Sequence, residues 1–221
     1  PMMAYIGTEG YGCNFELRER KQHCQKGTPE FLKETIRAAK QMTDKPLLFR
    51  MDSGNDATEN MEILHWDDPQ IEFLVKHNFR RESKEKMANE LKTVCQNIST
   101  QREGKTVYIG STWRNIKTEE KCEICVRAVY EIIERTLSAN GQFLLEPDQE
   151  VNLYLTSLEL TDEKVIELYH KHAVCEQYHS EIQTDMDIER LPSGKFDTNA
   201  LILKLGMLSY NILRIIGTEA M

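Results

Sequence analysis

The feature that most limits how this chain can fold is the run Pro46-Leu-Leu-Phe-Arg-Met51, which stops at Asp52-Ser53-Gly54-Asn55-Asp56. A short, mostly apolar run bounded by turn formers reads as a buried strand. Helices are predicted on either side of it, over Glu30 to Met42 and about Glu59 to Trp66, so the fold class is α/β. Asp52 follows the buried strand directly. In open α/β sheets the carboxyl ends of strands are where ligands and metals gather. Taken locally, Asp52 also suits an Asx turn or the cap of the next helix.

A chain of 221 residues can bury one substantial core, or a core plus a smaller inserted module. With 40% hydrophobic and 29% charged residues it has the composition of a soluble globular protein rather than a disordered tail. The formal net charge of -8 excludes a surface that is basic all over, so any contact with nucleic acid must come from a local patch. Cysteines at 13, 24, 95, 122, 125 and 175 are too sparse for a disulfide-stapled domain, and a reducing, cytoplasmic setting is expected. Cys122-x2-Cys125 has the spacing of half a zinc site, but no second pair lies nearby, and the thiols read as buried or surface groups. The most apolar run, Leu201 to Ile216, is interrupted by Lys204, Asn211 and Arg214; it reads as a buried core helix, and no membrane is expected.

Met2 to Ile6 and Cys13 to Leu17 flank Gly7, Gly10 and Gly12, the pattern of a hairpin. Because Pro1 leads straight into a strand-like run, the chain reads as a fragment whose beginning lies upstream. Thr28-Pro29-Glu30 reads as a cap residue, a proline at the first helical position and an acid in the first turn. Ile71 to Val75 is a further strand, followed by the basic cluster Lys76, His77, Arg80, Arg81, Lys84 and Lys86, which suits either a solvated face or phosphate contact. Thr106 to Ile109, Glu123 to Thr136 and Glu150 to Leu158 are strand-like. Val126 to Ile133 also fits a helix by periodicity, but the turn signal Asn140-Gly141 favours a hairpin. By composition the chain divides into a core at 1–75, a β-rich insertion at 76–160 and a return to the core at 161–221.

Thr161, with Asp162 and Glu163, opens a helix carrying Tyr169-x2-His172-x3-Glu176-x6-Gln183. At about 3.6 residues per turn, Tyr169, Glu176 and Gln183 share one stripe with His172 beside it. Val165, Leu168, Cys175 and Ile182 form the adjoining apolar seam. The helix then breaks near Pro192, and a final helix spans about Asp197 to Ile216.

This order of elements resembles a ribonuclease H-like catalytic core interrupted by a β-rich insertion before its last acidic helix. Several motifs carry a more specific resemblance along almost the entire chain. They are Tyr5-Ile-Gly7, Gln22-His23-Cys24-Gln25-Lys26-Gly27-Thr28, Arg50-Met-Asp52-Ser53-Gly54-Asn55-Asp56, Arg80-Arg81-Glu82, and Glu176 with Arg190-Leu-Pro192-Ser193-Gly194-Lys195-Phe196 and Asn199. Together they resemble bacterial insertion-sequence transposases with a DDE triad, in the insertion sequence thirteen-eighty branch. The spacing at 169–183 is similar to the branch's Tyr-x2-Arg-x3-Glu-x6-Lys signature, with His172 for Arg and Gln183 for Lys.

The resemblance implies a two-metal site for Mg2+ or Mn2+, with Asp52 and Glu176 as catalytic metal ligands. It implies a first catalytic Asp on a strand preceding Pro1, and a 1–221 chain that does not cleave DNA alone. It further implies DNA contact by Tyr169, His172, Gln183, Lys76, Arg80 and Arg81. Trp113 would fill the space of a flipped base, although core packing is the commoner role of a tryptophan, and more so for Trp66. The activity implied is hydrolysis at transposon ends and strand transfer to target DNA by a homodimer in the bacterial cytoplasm. His172 and Gln183 lack the permanent charge of Arg and Lys, which implies a weakened phosphate grip.

Two other functions fit the residues. One is a transposase remnant that only binds DNA or a partner. The other is a Mg2+-dependent phosphatase with Asp52 as nucleophile, but that chemistry needs a second acid at residue 54, which is Gly.

Overall fold

The computed structural model describes residues 1–19, 25–66, 68–80, 82–118, 123–138, 140–188 and 190–219. The chain forms two compact units, Pro46–His170 and, separately, Pro1–Lys45 with Lys171–Met221.

The unit Pro46–His170 is built on a six-stranded mixed sheet. Strands β3 (Leu47–Met51) and β4 (Ile71–Lys76) run parallel, from Leu47 opposite Ile71 to Met51 opposite Val75. Helix α2 (Thr58–Trp66) makes the crossover that a parallel pair requires and buries Met61, Ile63 and Leu64. Helix α3 (Lys84–Val94) follows, capped by the Ser83 side chain. Four antiparallel strands come next: β5 (Asn97–Arg102), β6 (Lys105–Lys117), β7 (Glu123–Leu137) and β8 (Phe143–Thr156). The sheet order is β3-β4-β8-β7-β6-β5, so the β-rich block continues the sheet begun by β3 and β4. This mixed α/β architecture is compatible with a ribonuclease H-like core.

Two sequence signals explain the centre of this sheet. Phe73, Leu74 and Val75 are at most 1% exposed, each burial being favourable by about 1.5–3 kcal/mol. In β7 the run Ala128 to Ile132 is buried residue after residue, hence on both faces, so it is a strand although its apolar spacing also fits a helix. The β7–β8 turn uses Gly141 at φ 77°, as the Asn-Gly signal predicts. Helix α4 (Asp162–His170) lays Val165 and Ile166 against Leu74, Val129 and Tyr154. Arg127 of β7 anchors its start, donating to Leu158 O, Leu160 O and Asp162 Oδ1 at 3.0, 2.6 and 2.5 Å.

The other unit begins with the antiparallel hairpin β1 (Met2–Ile6) and β2 (Tyr11–Glu16), as predicted. Its turn places Gly10 at φ 72°, where a Cβ would stand 2.2 Å from the Tyr178 ring, so neither the conformation nor the space admits a side chain. Helix α1 (Thr28–Met42) buries Phe31, Leu32, Ile36 and Ala39. Thr28 is not the cap residue the sequence suggests. Gly27 occupies that position in the left-handed region, and Thr28 Oγ1 accepts from Arg18 Nη1 at 3.1 Å.

Tyr169 to Gln183 is not one α-helix. After α4 come a 3-10 turn (Lys171–Ala173), helix α5 (Val174–Ser180) and a π-helical turn (Glu181–Asp185). The hydrogen-bond step therefore changes twice within the segment predicted as one regular helix. Helix α6 (Phe196–Glu219) corrects a second expectation. Only Leu203, Gly206 and Tyr210 of it are buried, while Leu201, Leu205, Leu208, Leu213 and Ile216 are more than half exposed. By length and composition α6 could cross a membrane. Its polar residues nonetheless bind within the unit: Asn211 Oδ1 accepts from Gly12 N at 2.7 Å and its Nδ2 donates to Gly12 O at 2.9 Å. Trp66 is 51% exposed and is not a core residue.

Candidate active site

Asp52 leaves β3 with an extended backbone and caps a 3-10 turn, Ser53–Asn55. Its Oδ1 accepts from Gly54 N at 3.1 Å and Asn55 Nδ2 at 2.6 Å. This is the Asx geometry that the local reading allows, and it has a chemical consequence. With one oxygen engaged twice, the carboxylate plane is fixed. Oδ2 has no hydrogen bond among the described residues, and the residue is exposed. A fixed carboxylate offering one free oxygen suits a hard divalent cation.

The turn is itself held in place. Asn60, fully buried, donates to Asn55 O at 2.9 Å. Asn78, just past β4, donates through Nδ2 to Ser53 O at 2.9 Å and through its backbone N to Asp56 Oδ2 at 2.7 Å. His77 Nδ1 stands 2.7 Å from the same Asp56 oxygen. The approach is off the N–H axis, making it a close polar contact rather than an aligned hydrogen bond. On the other side of the ring, Arg114 Nη1 lies 3.3 Å from His77 Nε2; since Arg only donates, Nε2 accepts. Arg114 Nη2 also donates to Glu82 Oε1 at 2.5 Å. Burial alone would raise the Glu82 carboxyl, but Arg114 and then His77 outweigh it and hold it below its ordinary value.

Arg50, on β3, sends Nη1 to Leu168 O at 3.0 Å and so caps the last turn of α4 beside Tyr169. Tyr169 is half-buried, with its ring 4.6 Å from that of Tyr154. Burial, with a smaller contribution from the Asp52 carboxylate, pushes its phenol up to about 12. Lys76 and exposed Arg80 border a cleft of about 760 Å³. Arg81 lies outside the described residues, as do Gln22, His23, Cys24 and Cys122. Trp113 is 69% exposed on β6, so its indole is not committed to a core.

His172, Glu176 and Gln183 belong to the other unit. His172 Nδ1 is 3.4 Å from Cys175 Sγ. Glu176 is exposed in the first turn of α5, and Gln183 is half-buried in the π-helical turn. Among the described residues no hydrogen bond or ion pair holds the Glu176 carboxylate. The polar network of this segment is built on Glu181 instead. Arg214 donates to Glu181 Oε2 and to Glu9 O, each at 2.6 Å, and its guanidinium lies 4.6 and 5.1 Å from the ring centres of Tyr178 and Tyr210.

Sequence reasoning missed Asn55, Asp56, His77, Asn78 and Arg114 as supports of Asp52. Asn55 and Asp56 lie inside the quoted motif, but nothing in the spacing pairs Asp56 with His77. Among the described residues no three His, Cys, Asp or Glu side chains gather into a metal-binding group. Asp52 therefore fits a cation as a single oxygen ligand. The family model for the transposase DDE domain, group 1, matches residues 1–221. No curated protein matches the chain.

Proposed function

Because the chain belongs to the family of transposase DDE domains, group 1, we propose that it is the catalytic part of a DNA transposase in which Asp52 and Glu176 are metal ligands. The family implies nuclease and strand-transfer activity in transposition, acts on DNA and normally uses a divalent metal. Our reading goes further. It assigns hydrolysis at transposon ends and strand transfer to target DNA, in the insertion sequence thirteen-eighty branch, by a homodimer in the bacterial cytoplasm. The motifs around Asp52, Glu176 and Arg190 to Lys195 support that branch.

The observation that carries the proposal is the Asp52 carboxylate, exposed at the end of the edge strand β3, with Oδ1 tied twice and Oδ2 without a hydrogen bond among the described residues. When bound, Mg2+ or Mn2+ activates the attacking oxygen and stabilises the leaving oxygen of the phosphodiester. Asp52 presents one oxygen to the cation in a fixed orientation. Glu176, unrestrained by hydrogen bonds, supplies a second carboxylate. Lys76, Arg80 and Arg81 hold backbone phosphates, and Tyr169, His172, Gln183 and Trp113 contact the transposon end. His172 and Gln183 can hydrogen-bond phosphate but bring less charge than Arg and Lys, so end binding depends less on salt.

The test is strand cleavage on transposon-end DNA with Mg2+, using the full-length protein. Asp52→Asn and Glu176→Gln should each lower the rate by about 10³-fold or more, several kcal/mol of transition-state stabilisation. Full activity in either variant would overturn the ligand assignment, and a remnant that only binds DNA would bind ends without cleaving in any form.

A further inference from the structure

The cleft beside the Asp52 turn has features that duplex contact does not require. It is about 760 Å³, and Ser53, the neighbour of Asp52, lines it together with residues just after β4, the start of α3, β7 and β8. That volume is in the range of pockets for a single drug-sized molecule, enough for a nucleotide or two and too small for a duplex.

Its charge is divided unevenly. Arg135 is occupied by Asp148 at 3.2 Å and Glu150 at 3.0 Å, and its hydrogen bond holds the Glu150 carboxyl below the ordinary value against the effect of burial. Lys76, Arg80 and Lys84, also in the wall, form no ion pair among the described residues. Four cations thus face two carboxylates, both hydrogen-bonded to Arg135, with Lys76 acting on Glu150 through charge alone. The surplus is positive in a molecule whose formal net charge is -8.

The wall also carries an aromatic ring. Phe79 is half-buried, set edge to face against His77 with ring centres 4.9 Å apart, and Lys84 Nζ lies 5.4 Å from its centre. The His77 contact restrains the ring. Farther along, Gln149 donates through Nε2 to Glu134 at 2.9 Å, while its Oε1 is buried without a donor. A nucleobase amino group is a donor of the kind that oxygen lacks.

A cationic groove with an aromatic platform is how proteins hold single strands without reading sequence. We propose that this cleft binds an unpaired DNA strand, one or two nucleotides long, next to the reacting phosphodiester. Lys76, Arg80 and Lys84 hold its phosphates, and Phe79 stacks one base. The inference rests on the transposase reading for the identity of the strand, but binding without metal tests it separately.

Fluorescence anisotropy with the 1–221 chain in EDTA would compare a blunt duplex with the same duplex carrying a three-nucleotide single-stranded overhang. The overhang should bind about tenfold tighter. Phe79→Leu, which keeps apolar volume, and the exposed-site variant Lys84→Gln should each bring the overhang towards the blunt duplex and leave the blunt duplex unchanged. Lys76→Gln with Lys84→Gln should lower the salt slope of overhang binding by about 0.7 for each phosphate that is no longer neutralised. Free mononucleotide should compete only at far higher concentration than a short oligonucleotide; equal competition would mean a nucleotide pocket and would overturn the strand assignment. Equal binding of blunt and overhang duplexes, or equal weakening of both, would overturn it as well. None of these outcomes depends on whether Asp52→Asn cleaves DNA.

Discussion

The turn after β3 and the segment 171–185 each carry one proposed metal ligand, and they are built in opposite ways. Around Asp52 the hydrogen bonds converge on the carboxylate: Gly54 and Asn55 hold it, and Asn60 and Asn78 hold the turn. Around Glu176 they converge elsewhere, on Glu181, which takes Arg214 and the Tyr210 hydroxyl. One carboxylate is oriented before any cation arrives. The other must be oriented by the cation, and its ordering then costs side-chain entropy on binding.

The largest expected effect that sharpens this contrast is on stability. Arg214→Ala removes the Glu181 ion pair, whose side chains are 22% and 27% exposed, the bond to Glu9 O and the cation over Tyr178 and Tyr210. Partial burial makes this pair worth more than a surface one, and its removal leaves Glu181 without its cation. We expect destabilisation of about 2–3 kcal/mol. Hydrogen exchange should show the loosening at amides 174–185 and little change at 53–56. Equal loosening at 53–56 would show that the two segments share one support and would break the contrast.

The same contrast separates what was legible in the sequence. β3 and Asp52 were readable because a short apolar run fits a strand and its end is marked by residues that favour turns, but β3 is an edge strand with only Met51 buried, not the buried strand predicted. The hairpin at Gly7 to Gly10 was readable because positive φ leaves few residue choices. Tyr169 to Gln183 was not. Its spacing tests only whether side chains would align in a regular α-helix, and 3-10 and π-helical turns leave no mark in that polarity pattern. Arg214 and Glu181, like Asp56 and His77, are far apart in sequence, and periodicity says nothing about such pairs. α6 failed for another reason. Apolar composition says that a helix gains from burial, but not which neighbour covers it, and Leu201, Leu208 and Ile216 are exposed.

An intermediate effect should appear in cation binding at Asp52. Asn55 Nδ2 makes the shorter of the two bonds to Oδ1. Asn55→Ala leaves Gly54 N as the only donor and lets the carboxylate rotate. Partners that orient a ligand are commonly worth 10–100-fold in metal affinity, and because one donor remains we expect about tenfold weaker Mn2+ binding by electron paramagnetic resonance. Gln177→Ala, on α5 beside Glu176, should change Mn2+ affinity little, because its side chain bonds to Glu181 at 3.2 Å and not to Glu176. A larger drop in Gln177→Ala than in Asn55→Ala would reverse the assignment of which carboxylate is pre-oriented.

The smallest effect reaches the Asp52 turn from a distance, along Asp56, His77, Glu82 and Arg114. In the folded chain the Glu82 carboxyl lies below its ordinary 4.5, because Arg114 and His77 overcome the opposing effect of burial. A depressed carboxyl pKa adds stability that is fully present above the unfolded value and is lost as pH falls through the folded one. Arg114→Met removes the hydrogen bond and the charge, so the folded pKa rises and acid unfolding should begin at higher pH. The shift should be modest, since the Arg114 and Glu82 side chains are 27% and 35% exposed and solvent screens the pair. Below pH 4.5 protonation of Glu82 should therefore loosen the amides of 53–56 in the wild type, while Arg114→Met shows the same loosening at higher pH. The change of onset in Arg114→Met should be confined to 53–56 and absent from segment 174–185, whose ion pair is made by Arg214. An equal shift of onset at both segments in Arg114→Met would mean that Asp52 is held no more independently than Glu176.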